Sequence, residues 1–320
     1  MKPHRPNELA VVLHDYFTDH LPRLRGMSPH TIHSYRDSLS LLLCYLETAK
    51  KRSIVNIDID DITDENVIAF LQHLEQQRGN GSATRNVRLA AIHAFFTYIA
   101  HRYPQRLQQC QCILGVPFKR TITRQVEYLE YDEIQSVLNV INRNTADGRR
   151  DYVLLVTMFN TGARVQEILD LRPCDLQLVK PFHARLLGKG RKERLCPLWP
   201  QTAQLLQQHL SEAGVEPRSN GKLFLNHRKE SLTRFGVQYI LAKYLDRAKA
   251  ETPSLISKRL HPHSMRHSTA VHLLQSGVDI VTISQWLGHA SVTTTNIYAT
   301  VDLDMKRKAI NKHRDENYFT

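Results

Sequence analysis

Apolar residues recur every three or four positions through most of this chain, and that spacing predicts helices almost throughout. Near the start Leu9, Val12, Leu13, Tyr16 and Phe17 share one helical face, and Pro22 and Gly26 break the chain beyond it. Ser28-Pro29 reads as a cap and first turn. Ile32, Tyr35, Leu39, Leu42, Leu43 and Leu46 then mark a helix ending near Thr48. Thr63 caps a further helix with Val67, Phe70, Leu71 and Leu74 inward. Ser82 caps another that runs to about His101, with Val87, Ala91, Ala94, Phe95, Tyr98 and Ile99 inward. Residues 1–103 are therefore expected to form an all-helical first domain.

The periodicity fades over residues 104–127, which Pro104, Gly115 and Pro117 punctuate and Lys119, Arg120 and Arg124 make basic. This stretch reads as an interdomain linker, with a second domain over 128–320. There Asp132-Glu133 opens a helix through Val140, and Asp151 to Phe159 is an apolar helix broken at Asn160-Thr161-Gly162. Arg164 opens the next helix, which Pro173 ends. His183–Leu187 and Glu193–Leu198 flank the turn 188–192, which is a hairpin signal. Thr202–Leu210 and Val237–Ala248 are helical, and 221–225 is short and strand-like. The fold class is mainly α, with a small β-sheet confined to the second domain.

Charge sharpens this picture. The chain of 320 residues carries a net charge of +12. Residues 1–105 hold 12 Lys and Arg against 11 Asp and Glu, and the remainder holds 31 against 20. The basic excess lies in the second domain and points to a polyanionic partner. No apolar run approaches the roughly 20 residues of a membrane helix, and the N-terminus has no signal-peptide core, so a cytoplasmic protein is expected. Five scattered cysteines, an odd number, argue against a disulfide framework. Cys110 and Cys112 lack a second ligand pair for zinc, and Asp58, Asp60, Asp61 and Asp64 read as a solvated loop and helix cap, so no metal site is expected.

The chemistry concentrates in residues 261–298, HPHSMRHSTAVHLLQSGVDIVTISQWLGHASVTTTNIY. His263 and Arg266, three apart, share one helix face. Gly277 and Gly288 read as helix ends, His289 follows the second, and Tyr298 comes nine residues later. An arginine, two imidazoles and a phenol suit a phosphodiester: guanidinium grips phosphate in a fork, imidazole moves protons, and phenol can attack. No G-x-x-x-x-G-K-[ST] loop for ATP is present.

HSMRH, LGH and the tyrosine of TTTNIY resemble the motifs of the tyrosine recombinases, or phage integrase family, in their order. TGARVQE, Thr161 to Glu167, is similar to the family's earlier T-G-x-R-x-x-E, and LLGKGRKERLCPL to its lysine hairpin. The resemblance covers nearly the whole chain and implies a helical, SAM-like DNA-clamping domain followed by a catalytic domain. Met265 and Ser268 depart from the usual residues beside Arg266, and His261 from a common threonine. With few residues before the first strong helix, the chain resembles the compact two-domain branch of Xer-like resolvases and transposon integrases.

By that resemblance Arg164 and Arg266 hold the nonbridging oxygens and Glu167 steadies Arg164. His263 is the general base, His289 bonds the phosphate, Tyr298 is the nucleophile, and Lys189 is the general acid, with Arg191 or Lys192 as stand-ins. Arg85, Arg88, Lys119, Arg120, Arg191 and Lys192 are candidate DNA contacts. The implied activity is site-specific recombination through a 3′-phosphotyrosyl intermediate, without cofactor, by a tetramer on two duplexes. A type IB topoisomerase-like relaxing enzyme, or a catalytically silent DNA-binding regulator, are the alternatives; the second predicts a missing catalytic residue, and none is missing. The terminal segment, Val301 to Ile310 with Lys306, Arg307 and Lys308, has helical spacing and docks either on its own chain or on a neighbour. If on a neighbour, deleting residues 303–320 leaves DNA binding by one subunit intact but weakens cooperative assembly in gel shifts; unchanged cooperativity rules that docking out.

Overall fold

A computed structural model describes residues 7–121, 127–188 and 192–288. It divides into two compact units, 1–123 and 124–320.

In the first unit α1 (Glu8–Asp15) runs straight into a π-helical segment, Tyr16–Leu24. The long α2 (Pro29–Lys50) follows, capped by the Ser28 hydroxyl, which accepts from the Thr31 N–H. Then come α3 (Asp64–Gln76), capped by Thr63, and α4 (Ser82–Arg102). Leu42, Leu46, Phe70, Leu74, Ile92, Phe95, Phe96 and Ile99 from these helices are fully buried together. Val87, expected inward, is 52% exposed. Leu89, Ile92 and Phe96 join the expected Ala91, Phe95, Tyr98 and Ile99 in the buried face, because two phases of apolar residues overlap along α4.

The expectation of a linker from residue 104 is corrected. Leu107–Leu114 is a further helix, α5, and buries Cys110 and Ile113 in the first unit's core, with Val116 just beyond it. Its eight residues are too few for periodicity to distinguish them from a polar tether. Gln109 fixes α5 by donating to the carbonyls of Ile59 and Ile62, and Arg106 pairs with Glu8 and Asp60. The acidic cluster is thereby accounted for: Asp61 also pairs with Lys50, and Asp58 caps the turn after it.

Two of the expected DNA contacts have other work. Arg85 is only 6% exposed. Its Nη1 donates to the Pro117 carbonyl at 2.9 Å and to Asn86 Oδ1 at 3.1 Å, while Asn86 also exchanges hydrogen bonds with the backbone of Lys119. Arg88 donates to Ser38 Oγ and the Ser34 carbonyl, tying α4 to α2. A stripe read from Val87 turns Arg85 outward, but Arg85 stands four and seven residues before Leu89 and Ile92, so the phase that buries those residues buries it too. Lys119 pairs with Glu75 at 2.7 Å on the surface, and Arg120 is exposed.

The second unit opens with α6 (Tyr131–Asn139) and the apolar α7 (Ala146–Thr161). α7 starts five residues before Asp151, where the apolar run begins, because the Thr145 hydroxyl caps it by accepting from the Gly148 N–H. Next come the short α8 (Val165–Asp170) and a three-stranded antiparallel sheet of β1 (Leu176–Gln177), β2 (His183–Leu187) and β3 (Glu193–Pro197), in the order β1-β2-β3. β2 and β3 pair in register from His183↔Pro197 to Leu187↔Glu193. Residues 221–225, expected as a strand, make only an isolated bridge, Leu225↔Ser231. Then α9 (Pro200–Glu212), α10 (Arg234–Ala248), α11 (Pro262–Gln275) and α12 (Ile280–Leu287) complete the described part. α7 is the central helix: Leu154, Leu155 and Met158 are buried in the main core, and α9 and α11 pack on it.

Arg85→Met should lower the first unit's stability by roughly 1.5–3 kcal/mol, since it removes the charge-assisted hydrogen bond from Arg85 to the Pro117 carbonyl. The slope of DNA affinity against salt should not change in a filter-binding series. A slope reduced by about 0.9 would restore a phosphate contact at Arg85.

Candidate active site

The site is assembled at the C-terminal end of α7. A helix ends with carbonyls that have no partner within it, and here that end is buried. Side chains from three later elements take up those carbonyls. Thr269 Oγ1 of α11 donates to Phe159 O at 2.6 Å, and Trp286 Nε1 of α12 to Asn160 O at 3.3 Å. The Cys196 thiol of β3 reaches Thr161 O at 3.7 Å, and Arg266 Nη1 of α11 donates to Gly162 O at 2.6 Å. Thr269 and Arg266, three apart, act from one face of α11.

Gly162 closes α7 in the left-handed region, φ +56°. A Cβ there would lie 2.5 Å from Leu287 Cδ2 and 3.2 Å from the Thr269 side chain. α12 ends the same way at Gly288, φ +65°, and its Leu287 carbonyl accepts from Arg266 Nη2 at 2.6 Å. The glycines of the two motifs, TGAR and LGH, thus have one physical role. Each turns a helix end so that its carbonyls face Arg266, which is 3% exposed.

Arg164 stands just past that turn, at the N-cap of α8. Glu167, 5% exposed, accepts from the Arg164 backbone N–H and from its Nη1, both at 2.9 Å. It also accepts from Arg194 Nη2 of β3 at 2.7 Å. Burial alone would raise the Glu167 carboxyl. The hydrogen bond and charge of Arg194, then the two donors of Arg164, outweigh it and hold the carboxyl below its ordinary value. Glu167 is therefore ionised, and the Arg164 side chain above it is one-third exposed.

His263 lies on the first turn of α11, on its exposed side. Desolvation, then the charges of Arg266, His261 and Arg164, hold its imidazole below the ordinary value, so it is neutral at neutral pH and able to accept a proton. His267, one turn on, is half-buried and pushed down to about 4 by burial and then by His263.

Of the expected residues, the structure brings Arg164, Glu167, Arg266 and His263 to one end of the unit. Lys192 is exposed, and its carbonyl closes the hairpin by accepting from the Gly188 N–H at 2.8 Å. Lys189, Arg191, His289, Tyr298 and the terminal segment lie outside the described residues. Sequence reasoning missed Arg194. The signal was there: in the alternation of β3 it falls on the inward face with Cys196, and an inward charge in a strand needs a partner. Among the described residues no group of three or more His, Cys, Asp or Glu could hold a metal ion. None of the described helices is long and apolar enough to cross a membrane.

Comparison with known proteins bears on this geometry directly. Residues 127–304 match the phage integrase family, and residues 15–103 match its N-terminal SAM-like domain. The chain is 40% identical over 304 residues to a putative integrase/recombinase, y4rC, of Sinorhizobium fredii, covering 95% of this chain and 91% of that one. It is 30% identical over 283 residues to tyrosine recombinase XerD of Listeria innocua, covering 87% and 90%. In fold it is similar to the XerH site-specific recombinase bound to difH substrate (TM-score 0.67, 23% identity, 87% of this chain and 78% of that one). It is also similar to the Tn1549 transposon integrase in complex with transposon right-end DNA (TM-score 0.68, 16% identity, 93% and 99%). The class is that of the tyrosine recombinases, enzymes that break and rejoin DNA. This chain belongs to the phage integrase family.

Gly162→Ala forces a left-handed alanine into contact with Leu287. Together, roughly 1–2 kcal/mol of backbone cost and 1–3 kcal/mol of overpacking should lower the melting temperature of the full chain and abolish DNA cleavage. A variant that melts and cleaves like the wild type would show that the two helix ends do not have to meet.

Proposed function

We propose that this recombinase acts on double-stranded DNA core sites as a homotetramer joining two duplexes, integrating, excising or resolving a mobile element. The observation that carries the chemical part is the pairing of Arg164 and Arg266 at one helix end, one held by a carboxylate and the other by two carbonyls. Two guanidiniums so fixed can share the nonbridging oxygens of one phosphodiester as charge develops on them, without reorganising. The solved relatives bound to difH and to transposon-end DNA support a DNA duplex as the partner. The name integrase/recombinase borne by the Sinorhizobium relative supports a mobile-element role. Residence in the cytoplasm, on the nucleoid when DNA-bound, is part of the same proposal.

In this reading the Tyr298 oxygen attacks the scissile phosphorus and its proton passes to His263. The P–O5′ bond breaks, and Lys189 supplies the proton for the leaving 5′-oxygen. His289 donates to a phosphate oxygen. The 3′-phosphotyrosyl bond conserves the free energy of the phosphodiester. Attack by the 5′-hydroxyl of a partner strand then reverses the step and joins the recombinant. The lowered pKa of His263 keeps its imidazole in the neutral, proton-accepting form to lower pH than in a free histidine, while making it a weaker base.

DNA bound covalently to the wild-type protein in cells should be recovered at a few discrete sites, and from Tyr298→Phe not at all. Attachment scattered over the chromosome would instead indicate a general relaxing enzyme, and equal attachment by Tyr298→Phe would remove Tyr298 as nucleophile.

A further inference from the structure

Arg194 is a buried cation near the site to which the proposed chemistry gives no task. Its side chain is 11% exposed. It leaves β3 in two directions: Nη2 donates to Glu167 Oε2 at 2.7 Å, and Nε donates to the Trp286 carbonyl at 2.9 Å. Glu167 is the carboxylate that holds Arg164. Trp286 O adjoins the Leu287 carbonyl that holds Arg266. Gly288 gives way to it: a Cβ there would stand 2.9 Å from Arg194 Nη1 and 3.0 Å from its Cδ.

We infer that Arg194 is a positioning residue for the DNA-cleavage step: it holds the anchors of both phosphate-binding arginines, the Glu167 carboxylate and the end of α12, in one frame. This rests on the roles proposed above for Arg164 and Arg266. The physical case is geometric. A guanidinium carries donors along different edges of one rigid plane, so it can span a carboxylate and a carbonyl at once, whereas an ammonium on a flexible stem cannot fix their separation. In this reading Arg194 acts through Glu167 and α12.

The test uses the full-length protein on nicked suicide substrates, with a scissile phosphodiester or with a methylphosphonate that lacks one of the two nonbridging charges. Arg194→Met should slow cleavage of the phosphodiester by about 100-fold, with DNA affinity changed less than about threefold. On the methylphosphonate the deficit should shrink to about 10-fold or less, because less charge remains for displaced arginines to neutralise. Arg194→Lys, which keeps the charge but loses the span, should fall between. Should Arg194→Met not fold, because it strands the Glu167 carboxylate, Arg194→Met/Glu167→Gln is read against Glu167→Gln alone: a further substrate-dependent deficit in the double variant supports the inference, and none overturns it. Arg164→Ala is the control. If it is relieved by the methylphosphonate while the Arg194 variants are equally slow on both substrates, Arg194 is merely structural and this inference falls alone. If Arg164→Ala is not relieved either, the assignment of the arginines falls and takes this inference with it. Wild-type cleavage by Arg194→Met overturns it outright.

Discussion

A buried positive charge set against two helix ends is the constraint on which the catalytic unit depends. Removing a guanidinium from water is costly unless partners replace its hydration. Arg266 finds them in the carbonyls of Gly162 and Leu287, at the negative ends of α7 and α12. Those carbonyls would themselves be unpaired without it. Two deficits cancel in one contact, and the contact is possible only where both helices end together against α11. The left-handed glycines, the Thr269 and Trp286 hydrogen bonds and the packing of Leu287 over Gly162 all follow from making that meeting point.

Much of this is legible in the sequence. Helical periodicity locates most helices of both units, and the alternation around 188–192 locates the hairpin. The motif residues Arg164, Glu167, His263 and Arg266 can be named from residue type and order, and the structure brings them to one helix end. The direction of long polar side chains is a different matter. Arg85 and Arg88 are polar residues on α4, Arg85 in phase with the buried Leu89 and Ile92, and only the fold shows that Pro117 O and Ser38 Oγ stand within their reach. Arg194 fails in the opposite sense. It looks like one more cation of a basic hairpin, although strand alternation turns it inward toward a carboxylate 27 residues earlier.

α5 shows a different limit. Leu107–Leu114 has only Cys110 and Ile113 to bury, too few positions to establish a period, and it is helical because the first unit's core has room for them. The prolines and glycine around it mark real helix boundaries, but the same residues would punctuate a tether. Tertiary context supplies what local pattern lacks.

The sharing of one carboxylate by two arginines has a consequence in proton linkage. Glu167 is held below its unfolded-state pKa, so it favours the folded arrangement above that value, and the contribution is lost as pH falls through the lowered one. Because Arg164 Nη1 bonds Oε1 and Arg194 Nη2 bonds Oε2 of this one carboxylate, a single proton weakens the hold on both guanidiniums. Acid therefore loosens Arg164 and Arg194 together through one group, while Arg266, held by carbonyls that do not titrate, keeps its place.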